Sequence, residues 1–175
     1  MRQLHSPIDL LVLKAEGVIF AEGTSFAGVV VGMPSFQEAV FNGNADFTGA
    51  LMTGANFIGA KAFNGAKLTF KGADLRKSDL SYAKMPGADF TQANLTRCDC
   101  NAADLSGSIF DRTLLQGAEF EDAHNVPTSV RAAQSSGKSQ VQTSCSAPFV
   151  AFEPSTAVTM SCSTIPDRYS LTNIK

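Results

Sequence analysis

Residues 73–92 read ADLRK, SDLSY, AKMPG and ADFTQ, four groups of five residues with a large apolar residue in third place. The same spacing continues without interruption to residue 122, so that ten consecutive groups share it. A period of five matches neither the 3.6-residue period of an α-helix nor the two-residue alternation of a β-strand. An α-helix would spread these apolar residues around its surface, and a strand would send alternate ones to opposite faces. The stretch therefore predicts a repeat architecture.

Upstream of residue 73 the same pattern runs in shifted phases. The large apolar residues of these phases are Phe26, Val31, Phe36 and Phe41, then Phe47, Met52 and Phe57, then Phe63 and Leu68. The phases are separated by interruptions near Asn44, near residues 60–62 and at residues 71–72. We interpret the interruptions as corner bulges that keep the stacking intact, and a recognition loop is the alternative interpretation.

Two groups match a known motif in full, ADFTG at residues 45–49 and ADLSG at residues 103–107. The pattern resembles the pentapeptide-repeat family, whose motif is a small residue, Asp or Asn, Leu or Phe, a Ser, Thr or Arg, and often Gly. The resemblance covers about residues 24–122. It implies an all-β fold, a right-handed quadrilateral β-helix of about five coils in which four repeats make one square coil of about twenty residues.

If four repeats make a coil, residues about twenty positions apart stack in interior columns. The first column would be wholly aliphatic and the others rich in aromatic residues, as stacking in a narrow core favours. The four predicted columns are Val31, Met52, Leu75, Leu95 and Leu115; Phe36, Phe57, Leu80, Cys100 and Phe120; Phe41, Phe63, Met85 and Leu105; and Phe26, Phe47, Leu68, Phe90 and Phe110.

The remaining sequence predicts a terminal element at each end of this β-helix, which we place at residues 24–125. Residues 1–23 form an amino-terminal cap or arm, in which the apolar stretch 8–20 covers the amino end of the coil. Residues 126–136 form a short capping helix and linker, because Pro127 opens the helix and Gly137 follows it. Residues 137–175 form a carboxyl-terminal tail.

The tail predicts a β-hairpin, because residues 141–152 and 156–164 are β-prone and Glu153-Pro154-Ser155 separates them. A lone hairpin is marginal in water, so its apolar face needs a surface: this rod, a sister subunit or another protein. The predicted docking residues on that face are Val141, Phe149, Val158 and Met160. The same register places Cys145 opposite Cys162, either as a disulfide or as two free thiols.

The sequence contains little that predicts chemistry. His5 and His124 have no nucleophile or acid partner nearby in sequence. Cys98 and Cys100 occupy inward places of one repeat, where Cys acts as a small apolar residue. We therefore predict no catalytic site, no metal site and no cofactor, and we expect that the protein is not an enzyme.

The net charge and the apolar runs of the chain limit the classes of partner that we expect. The net charge is −2, so the chain has neither a polybasic surface for direct nucleic-acid binding nor a strongly acidic one. No apolar run is long enough for a membrane span, and no secretory signal is evident, so we expect a protein of the cytoplasm or of a virion or other assembly and leave the compartment open.

The favoured hypothesis is a non-enzymatic structural or protein-interaction module, a homo-oligomer or a subunit or decoration protein of a larger assembly such as a virion. The rod would be a rigid spacer and the tail a docking element. The alternative is a duplex-DNA mimic that binds a topoisomerase such as DNA gyrase. Mimicry needs a dense acidic surface, and residues 24–122 hold only eleven acids against eight bases. Asp79, Asp99 and Glu119, twenty residues apart, would form an outward acidic column, either a solvated face or a site for a cation or basic partner.

Overall fold

A computed structural model describes residues 13–135, in which the chain winds as a right-handed parallel β-helix. The coils pair through two-residue strands and isolated parallel bridges. The strands are β1 (Ile19–Phe20), β2 (Thr24–Ser25), β3 (Val40–Phe41), β4 (Ala45–Asp46), β5 (Lys61–Ala62) and β6 (Leu68–Thr69), and the helix is α1 (Thr128–Ser135). One sheet has the order β1-β3-β5 and the other β2-β4-β6, so each coil pairs with the next one along the chain.

Four walls enclose the interior, and each wall is a stack of rungs from successive coils. Each rung is named here by its outward residue, which immediately precedes the central inward residue of the repeat. The rungs of the first wall are Val30, Leu51, Asp74, Asn94 and Leu114; of the second, Lys14, Ser35, Asn56, Asp79, Asp99 and Glu119; of the third, Ile19, Val40, Lys61, Lys84, Asp104 and His124; of the fourth, Ser25, Asp46, Thr69, Asp89 and Ile109.

The length of a coil changes along the rod. On the second wall, 21 residues separate Lys14 from Ser35 and Ser35 from Asn56, whereas 23 separate Asn56 from Asp79. From Asp79 onward the spacing is 20 residues. The chain therefore carries extra residues only in its early coils.

All of the extra residues lie at one corner, between the third and fourth walls, at residues 21–23, 42–44 and 63–67. The loops at this corner, which we call the inserted corner, stack on one another. Glu22 Oε2 accepts a hydrogen bond from the Asn44 N–H at 2.8 Å, and Asn44 Oδ1 accepts one from the Lys67 N–H at 2.8 Å. The predicted interruption at residues 71–72 is wrong, because Gly72 is an ordinary corner residue with a left-handed φ of 63°.

Because of the longest insert, two of the predicted central residues are wrong. Ala62 rather than Phe63 is central on the third wall, and the Phe63 side chain, at the inserted corner, is 55% exposed. Phe70 rather than Leu68 is central on the fourth wall, where its ring stacks on Phe47 at 4.8 Å. Leu68 is buried in the place that a small residue holds in most repeats. Phe63 and Leu68 are themselves five residues apart, so spacing alone could not exclude them.

Aromatic stacking along the fourth wall dominates the interior. Its rings lie 4.8–5.1 Å apart and within 19° of parallel, in the order Phe26, Phe47, Phe70, Phe90 and Phe110. Phe36 and Phe57 on the opposite wall meet this ladder edge to face, at 5.2–5.7 Å. Offset stacks and edge-to-face pairs are the arrangements that the ring quadrupoles favour. Below Phe57 the opposite wall changes to Leu80 and Cys100, so the aromatic cluster belongs mainly to the early coils.

The two ends of the rod differ. The coil begins before residue 24, because Lys14 already pairs with Ser35, so part of the predicted amino-terminal cap is the first coil itself. At the other end α1 forms within residues 126–136, where the sequence predicts a short capping helix and linker. Val126 and Val130 are buried there, and Arg131 Nη2 donates to the Ala123 carbonyl at 3.0 Å.

Candidate interaction surfaces

Every predicted core-ladder residue has a buried side chain, so the ladder builds the interior and offers nothing to a partner. These residues are Val31, Phe47, Met52, Phe57, Leu75, Leu80, Phe90, Leu95, Phe110, Leu115 and Phe120. The predicted docking residues of the tail, Val141, Phe149, Val158 and Met160, and the predicted cysteine pair, Cys145 and Cys162, lie outside the described residues.

Asp and Asn at the outward position of a repeat have a structural role. In each of eight repeats the side-chain Oδ1 accepts the backbone N–H two residues further on, at 2.8–3.1 Å. This Asx bond satisfies a donor at the turn, and each such bond stabilises the fold by about 1 kcal/mol. The eight residues are Asp46, Asn56, Asp74, Asp79, Asp89, Asn94, Asp99 and Asp104.

The first wall departs from this pattern at its amino-terminal end. Val30 and Leu51 occupy outward positions on neighbouring rungs, with 68% and 47% of their surface exposed. Met33, at the corner of the same coil as Val30, is 75% exposed. We call these three residues the apolar strip. Aliphatic side chains accept no N–H, so Val30 and Leu51 forgo the Asx bond while presenting apolar surface to water.

Other exposed apolar residues are also concentrated in the early coils. Val18 and Ile19 on the first coil are 41% and 71% exposed. In the later coils Tyr82, Ile109 and Leu114 are exposed singly, which is ordinary for a protein surface. The outside of the first two coils is therefore more apolar than the rest of the rod.

Charge is concentrated in the later coils. Asp79, Asp99 and Glu119 stack on the second wall, as the sequence predicts, but the three rungs above them are Lys14, Ser35 and Asn56. The acidic column is therefore confined to the later coils. It is also not a set of free carboxylates, because Asp79 and Asp99 each hold an Asx bond.

Three cations line the corner next to that column. Arg76, Lys77 and Arg97 border a groove of about 470 Å³ between the first and second walls. The Arg76 guanidinium contacts the Asp74 carboxylate at 2.6 Å, and its hydrogen bonds hold the pKa of Asp74 below the ordinary value. Acidic and basic surfaces thus alternate around the later coils.

A polar cleft of about 610 Å³ runs beside the inserted corner. Its lining includes the hydroxyls of Thr24, Thr48 and Thr69 and the side chain of Lys71. The Lys71 ammonium pairs with Asp89 at 3.1 Å. The cleft can hydrogen-bond a polar partner.

The cysteine pair of the interior is chemically quiet. Cys98 and Cys100 are both buried, with their sulfur atoms 3.8 Å apart. The contact with Cys100, together with burial, raises the pKa of the Cys98 thiol well above its usual value, so this thiol stays protonated. Between residues 13 and 135, no group of three or more His, Cys, Asp or Glu side chains is placed to hold a metal ion. Within the same range, no helix is long and apolar enough to cross a membrane.

Comparison with known proteins supports a repeat architecture. The family model for pentapeptide repeats matches eight copies, at residues 35–69, 62–97, 73–112 and 93–124. No curated protein sequence matches the chain.

Solved structures resemble parts of the chain. One is the pentapeptide repeat protein Rfr23 of the cyanobacterium Cyanothece 51142, with 16% identity over 65% of this chain and 87% of that one, and a TM-score of 0.48. A pentapeptide repeat protein of the Arabidopsis thaliana thylakoid lumen has 28% identity over 69% and 77%, with a TM-score of 0.32. QnrB1, a plasmid-mediated fluoroquinolone resistance protein, has 14% identity over 65% and 72%, with a TM-score of 0.19. All three TM-scores lie below 0.5.

Proposed function

Because the chain belongs to the pentapeptide-repeat family, we propose that it is a non-enzymatic protein-interaction module whose amino-terminal coils dock on a protein partner in a larger assembly. Pentapeptide-repeat proteins are generally non-enzymatic structural or interaction proteins. A stack of parallel coils gives a stiff rod with long flat walls, which suits a spacer and docking element.

The apolar strip carries this proposal. The coil prefers Asp or Asn at the outward position, because that side chain bonds the turn N–H. Val30 and Leu51 contribute no such bond, and they expose apolar surface on paired rungs, with Met33 exposed in the same coil as Val30. Contiguous exposed apolar surface is characteristic of interaction sites. A requirement outside the coil, namely contact with a partner, accounts for these residues.

The strip alone is too small for a stable complex, since stable interfaces bury about 800 Å² per partner. A second contact is therefore part of the proposal. The predicted apolar face of the tail, with Phe149 and Met160, is our candidate for that contact. A homo-oligomer and a complex with a different protein are both compatible with this arrangement.

The duplex-DNA mimic is the weaker candidate. A mimic of duplex DNA would present negative charge along its length. Here the acidic column is limited to the rungs of Asp79, Asp99 and Glu119, and the neighbouring corner carries Lys77 and Arg97. A supercoiling assay with DNA gyrase tests this candidate, and inhibition at micromolar protein would favour it over docking through the strip.

The test of the docking function is affinity capture from the source cells, with the partner identified by mass and its affinity then measured. The full chain is compared with the double variant Val30→Asn/Leu51→Asn, which replaces apolar surface by the side chain that the coil prefers. Leu114→Asn is the matched control, because Leu114 holds the same outward position on the same wall at the other end. A chain lacking residues 136–175 measures the contribution of the tail.

We expect the double variant to weaken partner binding at least tenfold, and Leu114→Asn to leave it unchanged. Loss of binding only on removal of residues 136–175 would show that the tail, and not the strip, is the docking element. Equal binding by all four chains would refute the proposal.

A further inference from the structure

Two Asn-Gly pairs lie at the inserted corner, one in its second loop and one in its third. They are Asn42-Gly43 and Asn64-Gly65, and a Phe precedes each pair. The two asparagines contact each other, because Asn64 Nδ2 donates a hydrogen bond to Asn42 Oδ1 at 3.0 Å. Asn-Gly is the dipeptide in which an asparagine side chain reacts most readily with its own backbone, because glycine has no Cβ to hinder the approach. The inserted corner therefore holds two candidate modification sites with matched local sequence.

The reaction is an intramolecular displacement at the side-chain amide. The Gly65 nitrogen attacks Asn64 Cγ and loses its proton, the Cγ–Nδ2 bond breaks, and the amide nitrogen leaves with that proton as ammonia. Water then opens the resulting succinimide ring. Attack of water at the side-chain carbonyl gives Asp, and attack at the main-chain carbonyl gives isoaspartate, in which the chain continues through the former side chain. The sequence of steps needs water and no oxidant or reductant.

Asn64-Gly65 has the freedom that this reaction requires. Both residues are exposed, and a Cβ at Gly65 would have no atom within 4 Å. The Gly65 N–H, which carries the attacking nitrogen, donates no hydrogen bond among residues 13–135. The nitrogen can therefore approach Asn64 Cγ without first breaking a bond that it makes within these coils.

Asn42-Gly43 is the matched pair that the fold blocks. Gly43 is buried, and a Cβ there would lie 2.5 Å from the Glu22 Cα. The adjoining Asn44 N–H donates to Glu22 Oε2 at 2.8 Å, which holds this loop in place. The Gly43 nitrogen cannot turn toward Asn42 Cγ until the loop opens, and the cost of local opening lowers the rate of reaction.

We propose that Asn64 is a site of spontaneous deamidation in the folded protein and that Asn42 is protected by the fold. Isoaspartate at position 64 adds a carbon to the main chain within a stacked loop, and it lacks the Nδ2 donor that bonds Asn42. Conversion therefore loosens the inserted corner and adds one negative charge to the chain. Because conversion only accumulates, the converted fraction records the age of the protein. The inference is independent of docking through the apolar strip, which lies on the first wall.

Mass spectrometry of the full chain, incubated in mildly alkaline buffer, tests this assignment. Trypsin cleavage after Lys61 and Lys67 releases residues 62–67, in which Asn64 is the one side-chain amide. We expect this peptide to gain one mass unit with time, partly as isoaspartate, and Asn42 to react at least tenfold more slowly. In denaturant the two sites should react at equal rates, because neither loop is then held by the fold. Asn64→Gln, which keeps a side-chain amide, should abolish the gain in residues 62–67.

Amide hydrogen exchange measures the consequence for the corner. Converted protein, separated by charge, should exchange its Asn44 and Lys67 amides at least tenfold faster than unconverted protein, because these two N–H groups bond the stacked loops to one another. Incubated Asn64→Gln should exchange them as it did before incubation. An Asn64 that reacts in denaturant but not in the folded chain would overturn the proposal, as would equal rates at Asn42 and Asn64 in the folded chain. Unchanged exchange in the converted protein would refute the loosening of the corner.

Discussion

The early and later coils of this rod form the same four-walled β-helix from different kinds of residue. The coils around Phe36, Phe47 and Phe57 hold an aromatic interior, an inserted corner and an apolar exterior. The coils around Leu80, Leu95 and Leu105 hold an interior with fewer aromatic rings, in which Phe90 and Phe110 continue the ladder of the fourth wall, together with a regular 20-residue spacing and a charged, Asx-bonded exterior. The later coils are close to what the repeat requires for its own fold. The early coils carry outward apolar residues that the repeat does not require. We therefore propose that these residues serve function.

The largest expected difference concerns the aromatic interior. Phe47 is fully buried and its ring meets Phe26, Phe36, Phe57 and Phe70. We expect Phe47→Ala to lower the free energy of unfolding by about 3–5 kcal/mol, measured by chemical denaturation.

Phe63→Ala is the matched control, because it removes the same ring from a position that is 55% exposed. It should change the stability by less than about 0.5 kcal/mol. If Phe63→Ala were as costly as Phe47→Ala, Phe63 rather than Ala62 would be central on the third wall, and the pairing of Phe41 with Ala62 would be wrong.

A glycine at the inserted corner and one at the same corner of a later coil should differ less in their effect on stability. A Cβ at Gly43 would lie 2.5 Å from the Glu22 Cα, so Gly43→Ala must displace the stacked loop, at about 1–3 kcal/mol. Gly87 holds the same corner in a later coil with no atom within 4 Å of its Cβ position. Gly87→Ala should lower the free energy of unfolding by only about 1–2 kcal/mol, because an L side chain disfavours the left-handed φ of 72° at this position. A reversed order, measured by thermal unfolding, would contradict the stacking of the inserted corner.

Acid should weaken the later coils before the early ones. Hydrogen bonds from Arg76 and from Ser106 hold the pKa values of Asp74 and Asp104 below the ordinary 3.8. A carboxyl group with a lowered folded pKa stabilises the fold above its unfolded pKa, and that contribution is lost as the pH falls through the folded pKa. We therefore expect exchange protection around Leu75 and Leu105 to fall first between about pH 5 and pH 2.

The double variant Asp74→Asn/Asp104→Asn is the control for this prediction, because Asn accepts the same turn N–H as at Asn94 but does not titrate in this range. Its later coils should lose less protection in acid. Equal acid sensitivity in the variant and the unchanged chain would show that these two carboxyl groups do not set it.

The sequence predicts most of this fold because the central residue of each five-residue repeat packs in the interior. From residue 75 to residue 120 the predicted central residues agree with the structure. The prediction fails at Phe63 and Leu68, since these two residues keep the right spacing. The strand pairing, together with the stacking of Phe70 on Phe47, locates the insert. All three inserts share one corner, a fact that depends on three-dimensional register and not on any local motif.

The candidate site was less accessible to sequence reasoning than the fold. Val30 and Leu51 look like ordinary strand residues in the sequence, and no local motif distinguishes them. The signal that could have identified them is the outward place of the motif, which carries Asp or Asn in eight described repeats. Recognising its meaning requires the Asx bond, which links a residue preference to a backbone donor.

The central claim is that the outward residues of the early coils do not serve the stability of the coil itself. The smallest expected effects test this claim. Leu51 and Asp74 are paired rungs of the first wall, one from each region. The direct measurement is the free energy of unfolding of Leu51→Asn and of Asp74→Leu. We predict that Leu51→Asn leaves it unchanged or raises it by up to about 1 kcal/mol through a new Asx bond, while Asp74→Leu lowers it by about 1 kcal/mol. If both substitutions destabilised the protein, Leu51 would be serving the coil itself, and the claim would be wrong.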